Sequence, residues 1–308
     1  MAQVSEQASG WKAFRVFLEM IKFEHSIFAL PYAMIGMIWA STTQVHGWLI
    51  GPGWRVFWLI MLAMVSCRTA AMTYNRIADR DIDEKNVRTK QRAIPAGLLS
   101  LKQVNLYFYA SIVLFVFAAA SLNKMTLTLS PVALFVTIFY SRTKRFTWLC
   151  HFWLGASLAI APSAAWIAVQ GKLAVVPVLL SLAVLFWTAG FDIIYALQDE
   201  EFDRENGLHS IPAKFGKPKA LLISRISHVV AIALLTAAFA VRGVTWIGWL
   251  APIFAAIMIT YEQSLVKPND LSKVNFAFFT LNGCISIGVL ALVALDQFDP
   301  LIVIMGAN

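Results

Sequence analysis

The stretch Trp54–Asn86 reads WRVFWLIMLAMVSCRTAAMTYNRIADRDIDEKN. Its first part, Trp54–Tyr74, carries only Arg55 and Arg68 as charges. A helix rises about 1.5 Å per residue, so about 20 mostly apolar residues cross a hydrocarbon core of roughly 30 Å. The part that follows is different in kind. Asn75, Asp79 and Asp83 recur every four residues, which on a helix places them on one face, each about 6 Å above the last. An apolar span thus delivers a column of acids to one membrane surface.

Working outward, eight further stretches of similar length and apolarity are found, giving nine in all. They are Ser26–Val45, Trp54–Tyr74, Val104–Leu122, Met125–Tyr140, Trp148–Val169, Leu173–Ile194, Leu221–Val241, Trp246–Leu265 and Phe276–Leu295. Prolines 31, 131, 162, 177 and 252 fall inside spans, where neighbouring helices can satisfy the freed carbonyls. The composition agrees. Of 308 residues, 59% are apolar and 14% charged, against roughly 45–50% and about 25% in average globular chains. The mean hydropathy is +0.69. Soluble, disordered, collagenous and disulfide-scaffold classes are excluded. The fold class expected is an all-α polytopic membrane bundle of nine helices, in two four-helix units plus a ninth, as one domain over 1–308.

The basic residues set the orientation. With residues 1–25 cytoplasmic, 20 of the 25 Lys and Arg fall on the inner segments, four on the outer loops, and Arg68 within a span. The positive-inside rule then places the N-terminus in and the C-terminus out, in a bacterial cytoplasmic (inner) membrane. No cleavable signal is read before the first span. No nucleic-acid partner is expected. Cys67, Cys150 and Cys284 read as small packing residues, and the five histidines, which lack metal-ligand spacing, as interface or loop residues.

Ten of the 17 acids gather in two places, the cytoplasmic segments 75–103 and 195–219 with Asp192 just before the second. The second motif, FDIIYALQDEEFDREN at 191–206, repeats the spacing with Asp199 and Asp203. Each would lie at a helix C-terminus, where the macrodipole disfavours carboxylates by several tenths of a kcal/mol, and stacked like charges add a similar cost. A cation should compensate. Mg²⁺ takes one or two carboxylates together with substrate phosphates, so Asp79, Asp83, Asp199 and Asp203 can hold Mg²⁺ and, through it, a diphosphate. Arg88, Arg92, Lys144 and Arg145 suit its oxygens. Ser210 reads as a helix cap, with a hydroxyl contact as the alternative. Asp192 falls seven residues before Asp199 and deeper in the membrane. A carboxylate there is costly and functional by default, as a base or a support. Arg68 is comparable, as a structural ion-pair partner.

The order NxxxDxxxD (Asn75, Asp79, Asp83), RTxxR (Arg88, Arg92), YxxxKR (Tyr140, Lys144, Arg145) and DxxxD (Asp199, Asp203) resembles the UbiA-type intramembrane prenyltransferases. The opening FLEMIKFEHSIFALPYA is similar to their 4-hydroxybenzoate polyprenyltransferase-like branch, although Ala93 stands where many relatives have proline. The resemblance implies a central cavity open to the cytoplasmic side and to lipid. It implies Mg²⁺-dependent transfer of a chain from a polyprenyl diphosphate to a small aromatic acceptor in quinone biosynthesis, menaquinone or ubiquinone. Asp79, Asp83, Asp199 and Asp203 map to the metal and diphosphate positions. Asn75, Arg88, Arg92, Lys144 and Arg145 map to headgroup contacts, with Tyr140 beside them, and Asp192 is the candidate base. Two alternatives stand beside this reading. One is the same fold with a naphthoate, haem, chlorophyllide or glycerophosphate acceptor. The other is a secondary transporter or divalent-cation carrier, disfavoured because the acids cluster at one membrane face rather than the midplane.

Overall fold

A computed structural model describes residues 8–21, 28–42 and 53–297. The described residues are helical throughout, apart from connecting loops and an isolated β-bridge between Lys267 and Asp270. In chain order the helices are α1 (Gly10–Met20), α2 (Leu30–Thr42), α3 (Gly53–Ala78), α4 (Arg80–Lys85), α5 (Leu101–Leu122), α6 (Lys124–Thr143), α7 (Cys150–Gln170), α8 (Val175–Ala196), α9 (Glu200–Glu205), α10 (Ile211–Arg242), α11 (Trp246–Leu265) and α12 (Asn282–Asp296). A 3₁₀ turn, Leu197–Asp199, joins α8 to α9, and a π-helical turn, Phe276–Leu281, leads into α12.

Seven helical segments among the described residues are long and apolar enough to cross a membrane, so this is a multi-pass membrane bundle. Two of the nine expected spans are outside that count. The span at 26–45 is described only over 28–42, where it forms α2, Leu30–Thr42, and its ends lie outside the described residues. The span Trp246–Leu265 is present as the 20-residue α11, but Tyr261, Glu262 and Gln263 near its end lower its apolarity.

Local chemistry explains the element ends. Ser100 caps α5 with a capping box, its hydroxyl accepting from Gln103 N–H while Gln103 Oε1 accepts from Ser100 N–H at 2.9 Å. Asn123 separates α5 from α6 by a single residue. Its Oδ1 accepts from Thr126 N–H at 2.9 Å, and its Nδ2 donates to the carbonyls of Ile167 and Ala168 at 2.8 and 3.1 Å. Those carbonyls belong to the last turn of α7, where the Ile167 carbonyl also accepts from Gly171 N–H at 2.8 Å. Gly216 breaks α10 with φ 76° and ψ 162°, a conformation that costs a residue with a Cβ heavily.

Helix α8 packs between α7 and α10, α3 packs on α5 and α6, and α2 lies against α7 and α12. Close approach of α7 and α8 depends on Gly155, because a Cβ there would overlap the Leu185 carbonyl. The largest core, with Trp39, Trp187, Phe191 and Phe239, joins α2, α8, α10, α11 and α12. Between α3, α6, α7 and α8 the bundle stays open as a cavity of about 1240 Å³. Its walls follow α3 from Ile60 to Asn75 and α7 from Cys150 to Ala168.

The short helix α1 is three-sided. Ala13, Phe17 and Met20 pack on Ala93, Leu99 and Val104, Trp11, Phe14 and Leu18 are exposed apolar residues, and Lys12, Arg15 and Glu19 form the third side. It steadies the loop 86–100, whose Leu98 carbonyl accepts from Ala8 N–H at 3.0 Å.

Candidate active site

Both acidic motifs fold the same way. At Asp79 the backbone takes φ −97° and ψ 5°, ending α3 and starting α4, and at Asp199 it takes φ −102° and ψ 5°, ending the 3₁₀ turn and starting α9. This sparsely occupied bridge region recurs at active sites. It corrects the expectation of one unbroken helix through Asn75, Asp79 and Asp83. The four-residue spacing survives in the backbone, since Asp79 N–H donates to Asn75 O and Asp83 N–H to Asp79 O, at 2.9 and 2.7 Å. The second acid of each motif, Asp83 or Asp203, is buried in its short helix.

Bases from other segments meet these acids. Arg92 Nη1 donates to both oxygens of Asp83 at 2.7 and 2.8 Å. Arg88 grips Asp199 in bidentate fashion, Nε to Oδ1 at 3.2 Å and Nη2 to Oδ2 at 2.6 Å, and gives Nη1 to the Tyr195 hydroxyl at 3.1 Å. Lys144 Nζ lies 2.7 Å from Asp203 Oδ1. Burial alone would draw the Lys144 ammonium down, but the Asp203 carboxylate outweighs it and holds the group above its ordinary value. Asn75 Nδ2 donates to Asp79 Oδ2 at 2.8 Å, and Asn75 Oδ1 accepts from Arg76 Nη1 at 3.2 Å, so the amide orientation is determined by its neighbours. Desolvation, reinforced by the nearby Asp83 charge, pushes the Asp79 carboxyl up to about 6.

Asn75, Asp79, Arg88, Arg92, Tyr140, Lys144, Asp192 and Asp199 all line the cavity. Arg145 does not. It bonds Asp81 through Nη1 and Nη2 at 3.0 and 2.6 Å and donates to the Ala78 carbonyl at 2.5 Å. The expected headgroup contact is replaced by a brace on the C-terminus of α3, because Arg145 follows the end of α6 and points to the outer side of that turn. Tyr140 is half-buried, its hydroxyl 3.9 Å from Met72 Sδ. Ser210 is the cap of α10, accepting from Ala213 N–H at 3.3 Å, in agreement with the capping reading, and it also borders the cavity.

The fit to a divalent cation follows from the donors. Asp203 is fully buried, and both its carboxylate oxygens lack a well-aligned hydrogen bond despite the close Lys144 ammonium. Such orphaned oxygens suit a hard cation. Among the described residues, however, no three His, Cys, Asp or Glu side chains converge as a ready-made cage. A metal here would need oxygen ligands from its substrate, which is the habit of Mg²⁺ rather than of a structural site.

Sequence reading missed several residues. His151 and His228 are buried within the bundle, which corrects their placement at interfaces or loops; His25 and His46 lie outside the described residues. His228 packs between helices, its Nε2 donating to the Trp187 carbonyl at 3.3 Å and its Nδ1 accepting from Gln263 Nε2 at 2.9 Å. His151 joins Asp192 at 2.6 Å. Tyr195 is another, its ring 4.2 Å from that of Phe278 and 5.5 Å below the Arg88 guanidinium. A tyrosine one turn before an Asp-rich motif was the available signal.

Comparison with known proteins agrees with this geometry. The sequence profile described as the UbiA prenyltransferase family matches residues 29–283. The 4-hydroxybenzoate octaprenyltransferase of Aliivibrio fischeri is 30% identical over 247 residues, covering 80% of this chain and 84% of that protein. An apo UbiA homolog from Aeropyrum pernix K1 superposes with a TM-score of 0.75 at 30% identity, covering 91% of this chain and 98% of the other. A UbiA homolog from Archaeoglobus fulgidus, solved bound to GPP and Mg²⁺, shares the fold with a TM-score of 0.72 at 22% identity, covering 92% and 99%. With its paired Asp-rich turns at the mouth of a membrane cavity, the chain belongs to the UbiA prenyltransferase family.

Proposed function

We propose that this protein transfers a polyprenyl chain from a polyprenyl diphosphate to the ring of a 4-hydroxybenzoate-like acceptor, releasing diphosphate, at the cytoplasmic face of a bacterial inner membrane. The observation that carries this is the pairing at the cavity mouth. Asp83, Asp199 and Asp203 each meet a base, Arg92, Arg88 and Lys144, so acids for a cation and bases for an anion stand side by side. Beneath them lies an apolar cavity of about 1240 Å³, above the roughly 300–1,000 Å³ of drug-sized pockets and suited to an isoprenoid tail. The quinone-pathway acceptor is supported by the names of relatives such as the A. fischeri enzyme.

Asp79, Asp83, Asp199 and Asp203 would hold Mg²⁺, a use supported by the A. fulgidus homolog solved with GPP and Mg²⁺. When bound, the metal supplies Lewis-acid neutralisation of charge on the leaving diphosphate. Arg88, Arg92 and Lys144 bind phosphate oxygens, and the Arg forks orient the headgroup. Asn75 holds Asp79 in place. The apolar walls exclude water from the allylic cation formed as the C–O bond breaks, and the aromatic faces of Tyr195, Phe191 and Phe278 steady it. The acceptor ring attacks that carbon, and Asp192 takes the ring proton.

The test is direct. Purified protein in lipid nanodiscs is incubated with Mg²⁺, a polyprenyl diphosphate and 4-hydroxybenzoate, and diphosphate release and product mass are measured. Prenylated 4-hydroxybenzoate supports the proposal. A prenylated naphthoate, haem, chlorophyllide or glycerophosphate derivative instead moves the acceptor but keeps the chemistry. No product with any acceptor, together with cation flux in vesicles, sinks it.

A further inference from the structure

His151 opens the first turn of α7, Asp192 lies in the last turns of α8, and Ile211 begins α10. These three helices meet at one point. His151 Nδ1 is 2.6 Å from Asp192 Oδ2, and the Ile211 backbone N–H points at His151 Nε2 from 3.3 Å. A backbone N–H can only donate, so Nε2 must carry a lone pair. The ring proton is therefore on Nδ1, and the imidazole donates to Asp192 as a neutral group. A doubly protonated ring would set Nε2–H against the Ile211 N–H. The tautomer is thus dictated by the start of a helix 60 residues away.

The carboxylate is not sealed off. The Asp192 side chain keeps 20% exposure while His151 keeps 4%, and both border the cavity. Asp192 lies on α8 seven residues before Asp199, which ends the 3₁₀ turn beyond that helix, and both border the cavity. A donor anchored at the mouth in the proposed reaction would place its first carbon below the headgroup, within the cavity that Asp192 borders.

We propose that His151 is a positioning residue for proton removal from the acceptor, holding Asp192 in one rotamer through the bond from Nδ1 to Oδ2; this rests on the prenyl-transfer reading above. The electron pair of the donor C–O bond leaves with the diphosphate, and a ring π pair forms the new C–C bond. The ring carbon that has formed the new bond then loses its proton to Asp192 Oδ1, restoring aromaticity, and that proton passes to water as product leaves. His151 donates to Oδ2 throughout, so no rearrangement interrupts the step. A base held this way contributes about 10²–10⁴-fold.

The experiment uses the full chain in nanodiscs with three variants. In His151→Asn the amide nitrogen replaces Nδ1 and can still donate to Asp192. In His151→Gln the amide reaches the Nε2 position and can serve Ile211 but not Asp192. Asp192→Asn removes the base. Binding of a non-hydrolysable prenyl thiolodiphosphate with Mg²⁺ should stay within about twofold of wild type in all three. Product formation should fall about 100-fold in Asp192→Asn and His151→Gln, and much less in His151→Asn. With acceptor deuterated at the ring carbon that is prenylated, a primary isotope effect should emerge in Asp192→Asn and His151→Gln and be absent in wild type. ¹⁵N-histidine spectra should show His151 protonated at Nδ1 alone. Equal losses in His151→Asn and His151→Gln, no emerging isotope effect, or an Nε2–H signal would each overturn the proposal while wild-type prenylation stands. Wild-type protein that prenylates no aromatic ring overturns the underlying reading, and this proposal with it.

Discussion

Arg88, just beyond the first acidic motif, holds Asp199 of the second with two hydrogen bonds of 3.2 and 2.6 Å across 111 residues of sequence. The base that suits an anion is thereby resting on an acid that suits a cation. In the proposed reaction metal and diphosphate would use these same two side chains, so each ligand would free the group the other requires, and their binding should be cooperative. Arg88→Ala is expected to weaken Mg²⁺-dependent binding of a prenyl diphosphate about 10- to 100-fold, the worth of about 1.5–3 kcal/mol for a charged hydrogen bond. The thermal midpoint should hardly move, because Arg88 keeps 37% exposure and such pairs contribute about 1 kcal/mol or less. Isothermal calorimetry alongside thermal unfolding checks both halves.

Lys144 and Asp203 should behave in the opposite way. Asp203 is fully buried, and removal of its cation strands a charge, a loss of about 3 kcal/mol or more. Lys144→Met should therefore lower the unfolding midpoint clearly, and Lys144→Met combined with Asp203→Asn should recover most of it. Neither protein should prenylate. Recovery of activity in the double variant would remove both residues from the headgroup site.

Asp79 predicts a pH dependence. Its carboxyl sits at about 6 rather than the ordinary 3.8, so the folded protein keeps a proton that the unfolded chain has already released. Stability of the metal-free protein therefore falls as pH rises from about 4 through 6. Metal needs the charged form, so Mg²⁺ affinity should rise over that window, about tenfold per unit below pH 6, and level off above it. Unfolding midpoints at pH 5 and 7.5, with and without Mg²⁺, should show the metal-free loss and its reversal by the ion. Asp79→Asn should flatten the profile.

The alanine-rich wall of α7 predicts donor selectivity. Ala156, Ala159, Ala161, Ala164, Ala165 and Ala168 all border the cavity. Ala164→Phe fills part of its length and should lower kcat/KM for long-chain donors at least about tenfold while sparing geranyl diphosphate. Unchanged selectivity across a series of prenyl diphosphates would place the tail elsewhere.

Much of this architecture is legible in the order of residues alone. The apolar stretches form helices α3, α5, α6, α7, α8, α10, α11 and α12, because a backbone in lipid must satisfy its own hydrogen bonds and the helix does so locally. The four-residue spacing of Asn75, Asp79 and Asp83, and of Asp199 and Asp203, is likewise local, and the hydrogen bond between Asn75 and Asp79 follows from it. The basic residues could not be ranked in this way. Lys144 and Arg145 are neighbours with equal claims, yet one turns inward to Asp203 and the other outward to Asp81. Their directions depend on how the end of α6 meets α3 and α9, which no local pattern encodes.

A membrane bundle, two Asp-rich motifs and the chemistry those residue types can perform are properties of the linear chain, since hydropathy and helical spacing act between near neighbours. Which partners meet is a property of the folded bundle: Arg88 with Asp199, Arg92 with Asp83, and His151 with Asp192 under the N–H of Ile211. Charge and hydrogen-bond pairings between helices depend on distances of a few ångströms, and those distances are set by packing of all the helices together.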